Sequence, residues 1–372
     1  MLVGVPKEIK DNEYRVGLVP ASVRELTAKG HGVLVQTGAG LGAGLTNAEY
    51  EAAGAKIVAS AEEIFANAEL VVKVKEPLAA ERKLLRRGQI LFTYLHLAPD
   101  LRQTNELIES GVTAIAYETV TSPYGGLPLL MPMSEVAGRM APHVGAHCLE
   151  KGNGGRGVLL GGVPGVLAAS VVILGGGVAG TNAAFIAAGI GADVVVVDRS
   201  PEALRRIAAQ FGNRVRTLYS TRDAVEAACR DADLVIGTVL VPGAAAPKLV
   251  TSETVRTMKS GSVIVDVAID QGGCAETSRP TTHSHPTYVV DDVVHYCVTN
   301  MPGAVARTST FALNNMTMPF VVALADSGLR VALGEDEHLR NGLNVHEGRV
   351  THRAVAGALK LRYTAPQEVL RI

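Results

Sequence analysis

"SVVILGGGVAGTNAAFIAAGIGADVVVVDRS", residues 170–200, decides how the whole chain is read. An apolar, β-branched run leads into Gly175-x-Gly177-x-x-Gly180. A helical stretch follows, and a second apolar run closes on Asp198. Three spaced glycines alone also mark ordinary tight turns. Framed by strand, helix and a second strand that ends in an acid about 20 residues on, they read as a dinucleotide-binding turn. The first glycines permit a tight turn and close backbone approach. The pyrophosphate then sits on the helix N-terminus, where unpaired N–H groups and the dipole favour an anion. Asp198 accepts hydrogen bonds from ribose hydroxyls and repels a 2′-phosphate, so the expected cofactor is NAD rather than NADP. Arg199 beside it softens that repulsion.

The same stretch raises the question of a membrane. Residues 157–192 carry no charge, a run long enough to span a bilayer. Gly161, Gly162, Pro164, Gly165, Gly175, Gly176, Gly177 and Gly180 break it into pieces of strand length, which is how a buried parallel sheet reads. Composition agrees, with 47% apolar and 19% charged residues, an ordered globular balance. At 372 residues the chain exceeds one typical core and calls for two domains. A net charge of -1 argues against a coat for nucleic acid or anionic membrane, and 4% aromatics without tryptophan argue against base-stacking platforms. Cys148, Cys229, Cys274 and Cys297 lie far apart, so neither a disulfide framework nor a zinc ribbon is expected. "MLVGVPKEIK" meets charge too early for a signal peptide, and a reducing cytoplasm is the expected compartment.

Outward from the glycine turn, short apolar runs alternate with helical patterns on both sides. "LVGVP" (2–6), "GVLVQTG", "ELVVKVK", "GQILFTYLH" and "GVTAIAYE" read as strands before it. "ADLVIGTV", "GSVIVDVA" and "TYVVDD" read so after it. The expected fold class is α/β, two Rossmann-like domains with mostly parallel sheets and an active site in the interdomain cleft. "TSPYGGLPLLMPM" (121–133) breaks the rhythm as a linker, and Ser134 caps the helix expected next. After Asn300 comes a long helical pattern, then a tail without sheet signal that packs back on the first domain. The expected division is 1–128 with 307–372 as the substrate domain, and 129–306 as the NAD-binding domain.

The chain resembles the alanine dehydrogenase family along essentially its whole length. "GVPKEIKDNEYRVGLVPASVRELTAKG" (4–30) is similar to the family's N-terminal signature, departing at Gly17 and Val19. "GVLLGGVPGVLAASVVILGGGVAGTNAA" (157–184) is similar to its second signature. Both are shared more loosely with the nucleotide-binding subunit of proton-translocating transhydrogenase and with saccharopine dehydrogenases. "YLHLA" (94–98), "MPMSEVAG" (131–138) and "VAIDQGGCAETSRPTTHSHPTY" (267–288) select the alanine branch. The resemblance implies reversible conversion of L-alanine, NAD and water to pyruvate, ammonium and NADH by a homohexamer. It also implies cofactor contacts at Ser134, Val178, Ala179, Ser220, Val239, Leu240, Val267, Ala268, Ile269, Asp270, Arg279, Val298, Thr299, Asn300 and Met301. The family often has a basic residue five positions after its ribose-binding acid, where Ala203 stands here.

Sheet logic picks out the chemistry. Ligands of open parallel sheets bind beyond the carboxyl ends of the strands. Arg15, Lys75 and His96 follow strands there, and Asp270 does so in the second domain, facing them. Each fits α-keto acid chemistry, and the resemblance implies the same duties. Arg15 offers a planar fork to a carboxylate. Lys75 holds the keto oxygen and stabilises charge developing on it. His96 brings an imidazole, the side chain best suited to general acid–base work, while Asp270 orients ammonia or water. Lys73, two residues before Lys75 and on the same strand face, reads as an ordinary solvated lysine.

Three rival readings compete with this one. His143 and His147 have the spacing of paired zinc ligands on a helix, but "HVGAH" lacks the Glu after the first His and a third ligand, so no metal is expected. Cys274 near His283 and His285 lies on the loop expected over nicotinamide. A non-catalytic NAD-binding regulator or transhydrogenase-like subunit would not need Arg15, Lys75, His96 and Asp270 together. A dehydrogenase for a larger amino acid is the remaining enzyme reading.

Overall fold

β-branched and leucine-rich runs form the strands, and the central ones, Leu70–Val72, Ile90–Thr93, Leu234–Gly237 and Val263–Asp266 among them, are buried throughout, as parallel strands covered on both faces must be. The computed structural model describes residues 1–239 and 246–372. The chain divides into two compact units, Met1–Met133 with Gly303–Ile372, and Ser134–Pro302.

The first unit begins with β1 (Leu2–Val5), β2 (Gly32–Gln36), β3 (Lys56–Val58), β4 (Leu70–Val72), β5 (Ile90–Thr93) and β6 (Thr113–Ala116). The second unit holds β7 (Ser170–Leu174), β8 (Asp193–Asp198), β9 (Val215–Tyr219), β10 (Leu234–Gly237), β11 (Val263–Asp266), β12 (Thr287–Val290) and β13 (Val293–Tyr296). The chain then returns to the first unit with β14 (Leu343–His346) and β15 (Arg349–Val350). The tail, read as having no sheet signal, thus adds two strands. β14 pairs antiparallel with β6 and β15 with β14.

Both sheets share one plan. The first runs β15-β14-β6-β5-β4-β1-β2-β3 and the second β12-β13-β11-β10-β7-β8-β9. Within each, six parallel strands are wound outward in both directions from a central pair, β1 beside β4 and β7 beside β10. Strand order reverses at those pairs, so the loops leaving them diverge and open a crevice at the carboxyl edge. Separate apolar cores support the two sheets, one around Val71, Leu91 and Leu107, the other around Val171, Ile173 and Val265.

Helix boundaries follow local chemistry. Thr46 and Glu49 form a capping box at the start of helix Asn47–Ala52. Ser134 is not a cap, because helix Met131–Cys148 has already begun three residues earlier. The charge-free run 157–192 becomes β7 and helix Val178–Ile190. The long helix Ala306–Glu335 breaks at Gly328, whose φ of 71° lies in the left-handed region. Among the described residues it lies in the one segment long and apolar enough to cross a bilayer by length and composition, and Val321, Leu324 and Leu333 of it are fully buried.

The glycine turn shows how tightly the second sheet is assembled. A Cβ on Gly180 would lie 1.8 Å from the Gly175 carbonyl oxygen, whereas one on Gly189 of the same helix would meet nothing within 4 Å. Gly180→Ala is therefore expected to lose about 3 kcal/mol, the top of the overpacking range, and Gly189→Ala to gain about 0.5 kcal/mol from a stiffer unfolded chain. Urea unfolding midpoints check both. Equal midpoints for the two variants would show that the turn relaxes freely.

Candidate active site

Three adjacent strands of the first sheet deliver side chains to its carboxyl edge. Arg15 lies on the loop after β1 and is only 2% exposed. Its Nε and Nη2 donate to the two carboxylate oxygens of Glu13 at 2.7 and 2.5 Å, and Nη1 points at the Met133 sulfur at 3.0 Å. Burial opposes the guanidinium charge, but the Glu13 pairing outweighs it and holds the pKa above its ordinary value. Lys75 sits half-buried in the turn after β4, and its carbonyl accepts from Thr93 Oγ1 at 2.9 Å. His96 follows β5 with its side chain exposed and its backbone left-handed, φ 51°. Its N–H donates to Glu118 at 2.6 Å, and its ring stacks on Tyr94 with centroids 5.8 Å apart. The Tyr94 N–H donates to the Val74 carbonyl, so the loops carrying Lys75 and His96 are tied together.

In the second unit the crevice lies where β7 and β10 part. Gly175 has φ 108°, a conformation that side chains disfavour, and a Cβ there would press on Thr238 at 3.0 Å. Around Gly177 there is open space, and no side chain caps helix Val178–Ile190. This is the cradle a pyrophosphate needs, with backbone N–H groups at an uncapped helix start and nothing in the way of close approach. Asp198, the last residue of β8, accepts from the N–H of Gly176 at 2.6 Å and of Ser200 at 2.7 Å. That holds its carboxylate beside the glycine turn.

The other expected cofactor residues gather along the same edge. Ser220 follows β9 and donates its N–H to the Asp198 carbonyl, and Val239 follows β10. Val267, Ala268, Ile269 and Asp270 form the turn after β11, with Asp270 exposed. Buried Asp266 pins that turn, accepting from Ala268, Cys274 and Ser278. Arg279 lies over the Tyr288 ring at 4.1 Å. Val298, Thr299, Asn300 and Met301 follow β13, and His283 Nε2 meets the Asn300 carbonyl at 3.1 Å. Ser134 lies one helical turn before Gly138, where a Cβ would sit 2.2 Å from the Ala179 carbonyl. Leu240 lies outside the described residues.

Among the described residues, no three His, Cys, Asp or Glu side chains gather as a metal site. His143 and His147 are exposed on their helix, and His147 turns to Glu150 and Asn153 instead. Cys274 is buried, which pushes its thiol pKa up.

Residues 4–137 match the family model "Alanine dehydrogenase/PNT, N-terminal domain", and residues 141–353 match "Alanine dehydrogenase/PNT, C-terminal domain". The chain belongs to the alanine dehydrogenase/PNT family. It is 60% identical to an alanine dehydrogenase of Halomonas elongata over 98% of each chain, and 56% identical to one of Mycolicibacterium smegmatis over 100% of each. A solved L-alanine dehydrogenase structure superposes with a TM-score of 0.94 at 55% identity, covering 97% of this chain and 99% of that one. The transhydrogenase of Sinorhizobium meliloti superposes at 0.83 with 27% identity, covering 94% and 100%.

A further expectation for this alanine dehydrogenase/PNT family chain is overturned. Lys73 is not solvated but 0% exposed, with Nζ 2.7 Å from Glu81 Oε1 and 3.0 Å from Glu8 Oε2. Two residues share a face by spacing only within a strand, but β4 ends at Val72, and beyond it the chain is free to turn the ammonium inward. Burial works against the charge, and the two carboxylates more than offset it, raising the Lys73 pKa. Burial and the neighbouring Glu81 raise the Glu8 pKa against the pull of Lys73.

Four acids escaped the sequence reading: Glu8, Glu13, Glu81 and Glu118. Glu118 was findable, because "AIAYE" ends a strand by the rule that selected His96. Arg206 was missed as well. It stands one helical turn beyond Ala203 and donates to the Gly176 carbonyl at 2.7 Å, placing a cation at the glycine turn. Lys73→Met should strand two buried carboxylates and cost about 3–5 kcal/mol. Urea denaturation measures this, and a loss below about 1 kcal/mol would mean that water already reaches the triad.

Proposed function

We propose that the chain catalyses the reversible oxidative deamination of L-alanine with NAD and water, giving pyruvate, ammonium, NADH and a proton. The observation that carries the reading is the set Arg15, Lys75 and His96 on neighbouring loops of one carboxyl edge, in a chain whose other unit bears the glycine turn and Asp198. In this reading the first unit handles substrate and the second binds the dinucleotide. The Asp198 carboxylate beside the turn supports NAD over NADP, since a 2′-phosphate would meet its charge.

Bound NAD supplies the hydride acceptor. The chain's own groups do the rest. Glu13 takes Nε and Nη2 of Arg15, so the substrate carboxylate meets the guanidinium at Nη1, which points at the weak acceptor sulfur of Met133. Lys75 holds the substrate oxygen and stabilises charge developing there. His96 exchanges protons with the carbinolamine oxygen and nitrogen, its ring steadied on Tyr94 and its peptide by Glu118. Asp270 orients the ammonia or water that enters and leaves. The remaining predicted contacts, among them Ser134, Ser220, Val239, Arg279 and Asn300, line the cofactor. We further propose a homo-oligomer, a hexamer by family resemblance, working in a reducing cytoplasm, where four buried, unpaired cysteines are at home.

Purified protein with NAD and a panel of amino acids, followed by NADH absorbance, should turn over L-alanine best. His96→Ala should lower kcat by about 10²–10⁴-fold while leaving NADH fluorescence on binding unchanged. Absence of turnover with every amino acid sinks the enzyme reading, and near-normal kcat in the variant removes His96 from proton transfer.

Asp198→Gly tests the cofactor. It removes the charge facing a 2′-phosphate and also the acceptor for two loop N–H groups. NAD should therefore weaken while kcat/KM for NADP rises. NADP remaining as poor a substrate as before would take Asp198 out of ribose recognition.

A further inference from the structure

We propose that Glu8 is a positioning residue, whose carboxylate, held in place by the Lys73–Glu81 pair, fixes the turn that presents Lys75 to the substrate. This rests on the reading of Lys75 as a substrate ligand. Glu8 comes three residues after β1 and is 6% exposed. One of its oxygens, Oε2, takes the Lys73 ammonium at 3.0 Å. The other, Oε1, accepts the N–H of Val74 at 2.7 Å and of Lys75 at 3.4 Å.

Glu81 repeats the arrangement at the far end of the same segment. Its Oε1 takes Lys73 at 2.7 Å, and its Oε2 accepts the N–H of Leu78 at 2.9 Å, at the start of helix Ala79–Arg82. The segment 73–78 has no helix or strand of its own to hold it. It is pinned instead by two carboxylates that one ammonium locks together. From the other side Thr93 Oγ1 donates to the Lys75 carbonyl at 2.9 Å. The N–H and the carbonyl of Lys75 are therefore both held.

Energetics favour a positional role over a stabilising one. Taking three charges out of water is costly, and well-packed apolar residues commonly serve stability as well or better. What apolar groups cannot do is accept the peptide N–H groups of a turn without regular structure. Glu8 also belongs to the loop that carries Glu13 and Arg15, so it joins the first strand's loop to the fourth strand's.

A double-mutant cycle tests this, with KM for pyruvate, kcat and NADH binding measured for Glu8→Ala, Glu8→Gln, Lys75→Ala and the doubles. Lys75→Ala should lower kcat by about 10²–10³-fold, as loss of a donor to a developing oxyanion does. Glu8→Ala should lower kcat/KM for pyruvate about tenfold, leave NADH binding unchanged, and have almost no further effect once Lys75 is alanine. Glu8→Gln, which keeps an oxygen for the Val74 and Lys75 N–H groups, should recover most of that loss. If Glu8→Ala does not fold, the cycle is run with Glu8→Gln, whose smaller loss should likewise vanish in the Lys75→Ala background. Additive effects, or a Glu8 variant with unaltered pyruvate kinetics, overturn the positioning role alone. Normal kcat/KM in Lys75→Ala overturns the reading of Lys75 and this inference with it.

Discussion

Parallel pairing is the constraint on which everything else in this chain depends. Strands that run the same way put all their carboxyl ends on one edge, and a strand order that reverses at the centre makes the loops there diverge. The chain uses this geometry twice, at β1 and β4 and again at β7 and β10. No special device is then needed to gather distant residues. Arg15, Lys75 and His96 share an edge because their strands are neighbours, and the glycine turn, Asp198 and the Asp270 turn share another for the same reason.

That constraint also explains what the sequence made legible. Glycines at fixed offsets between two β-branched runs have few other uses, so the glycine turn and the place of Asp198 beside it were readable. Strand-end logic then led to Lys75, His96 and Asp270 without any knowledge of contacts. It failed for Lys73, because spacing gives the face of a residue only while the strand lasts, and β4 stops one residue short of it. A buried ion triad leaves no local mark, since Glu8 and Glu81 lie far from each other in the chain and look like surface acids. β14 and β15 were missed for a related reason. Four residues, "LNVH", pair with a strand more than two hundred positions earlier, and only tertiary context makes them a strand. The Ser134 cap failed more simply, because helix Met131–Cys148 starts a turn early.

The acids found only in the structure share a task. Glu13 holds the Arg15 guanidinium, Glu118 the peptide of His96, and Glu8 the peptide of Lys75. Arg15, His96 and Lys75, the groups proposed to meet the substrate, are thus each held by a carboxylate that orients them without replacing them. Rotamers and turns are thereby fixed before substrate arrives, which lowers the ordering entropy that binding must overcome.

The return of the chain to its first unit bears on how the molecule is made. Emerging from the ribosome, the second unit has its last strand by Tyr296 and is one continuous stretch of chain. The first unit waits. Its β6 edge stays unpaired until β14 emerges, after the whole second unit has been synthesised. An open strand edge is the usual starting point of misassembly between nascent chains. Vectorial synthesis thus leaves the first unit incomplete for longest, and prompt folding of the inserted unit shortens the loop that the final strands must close.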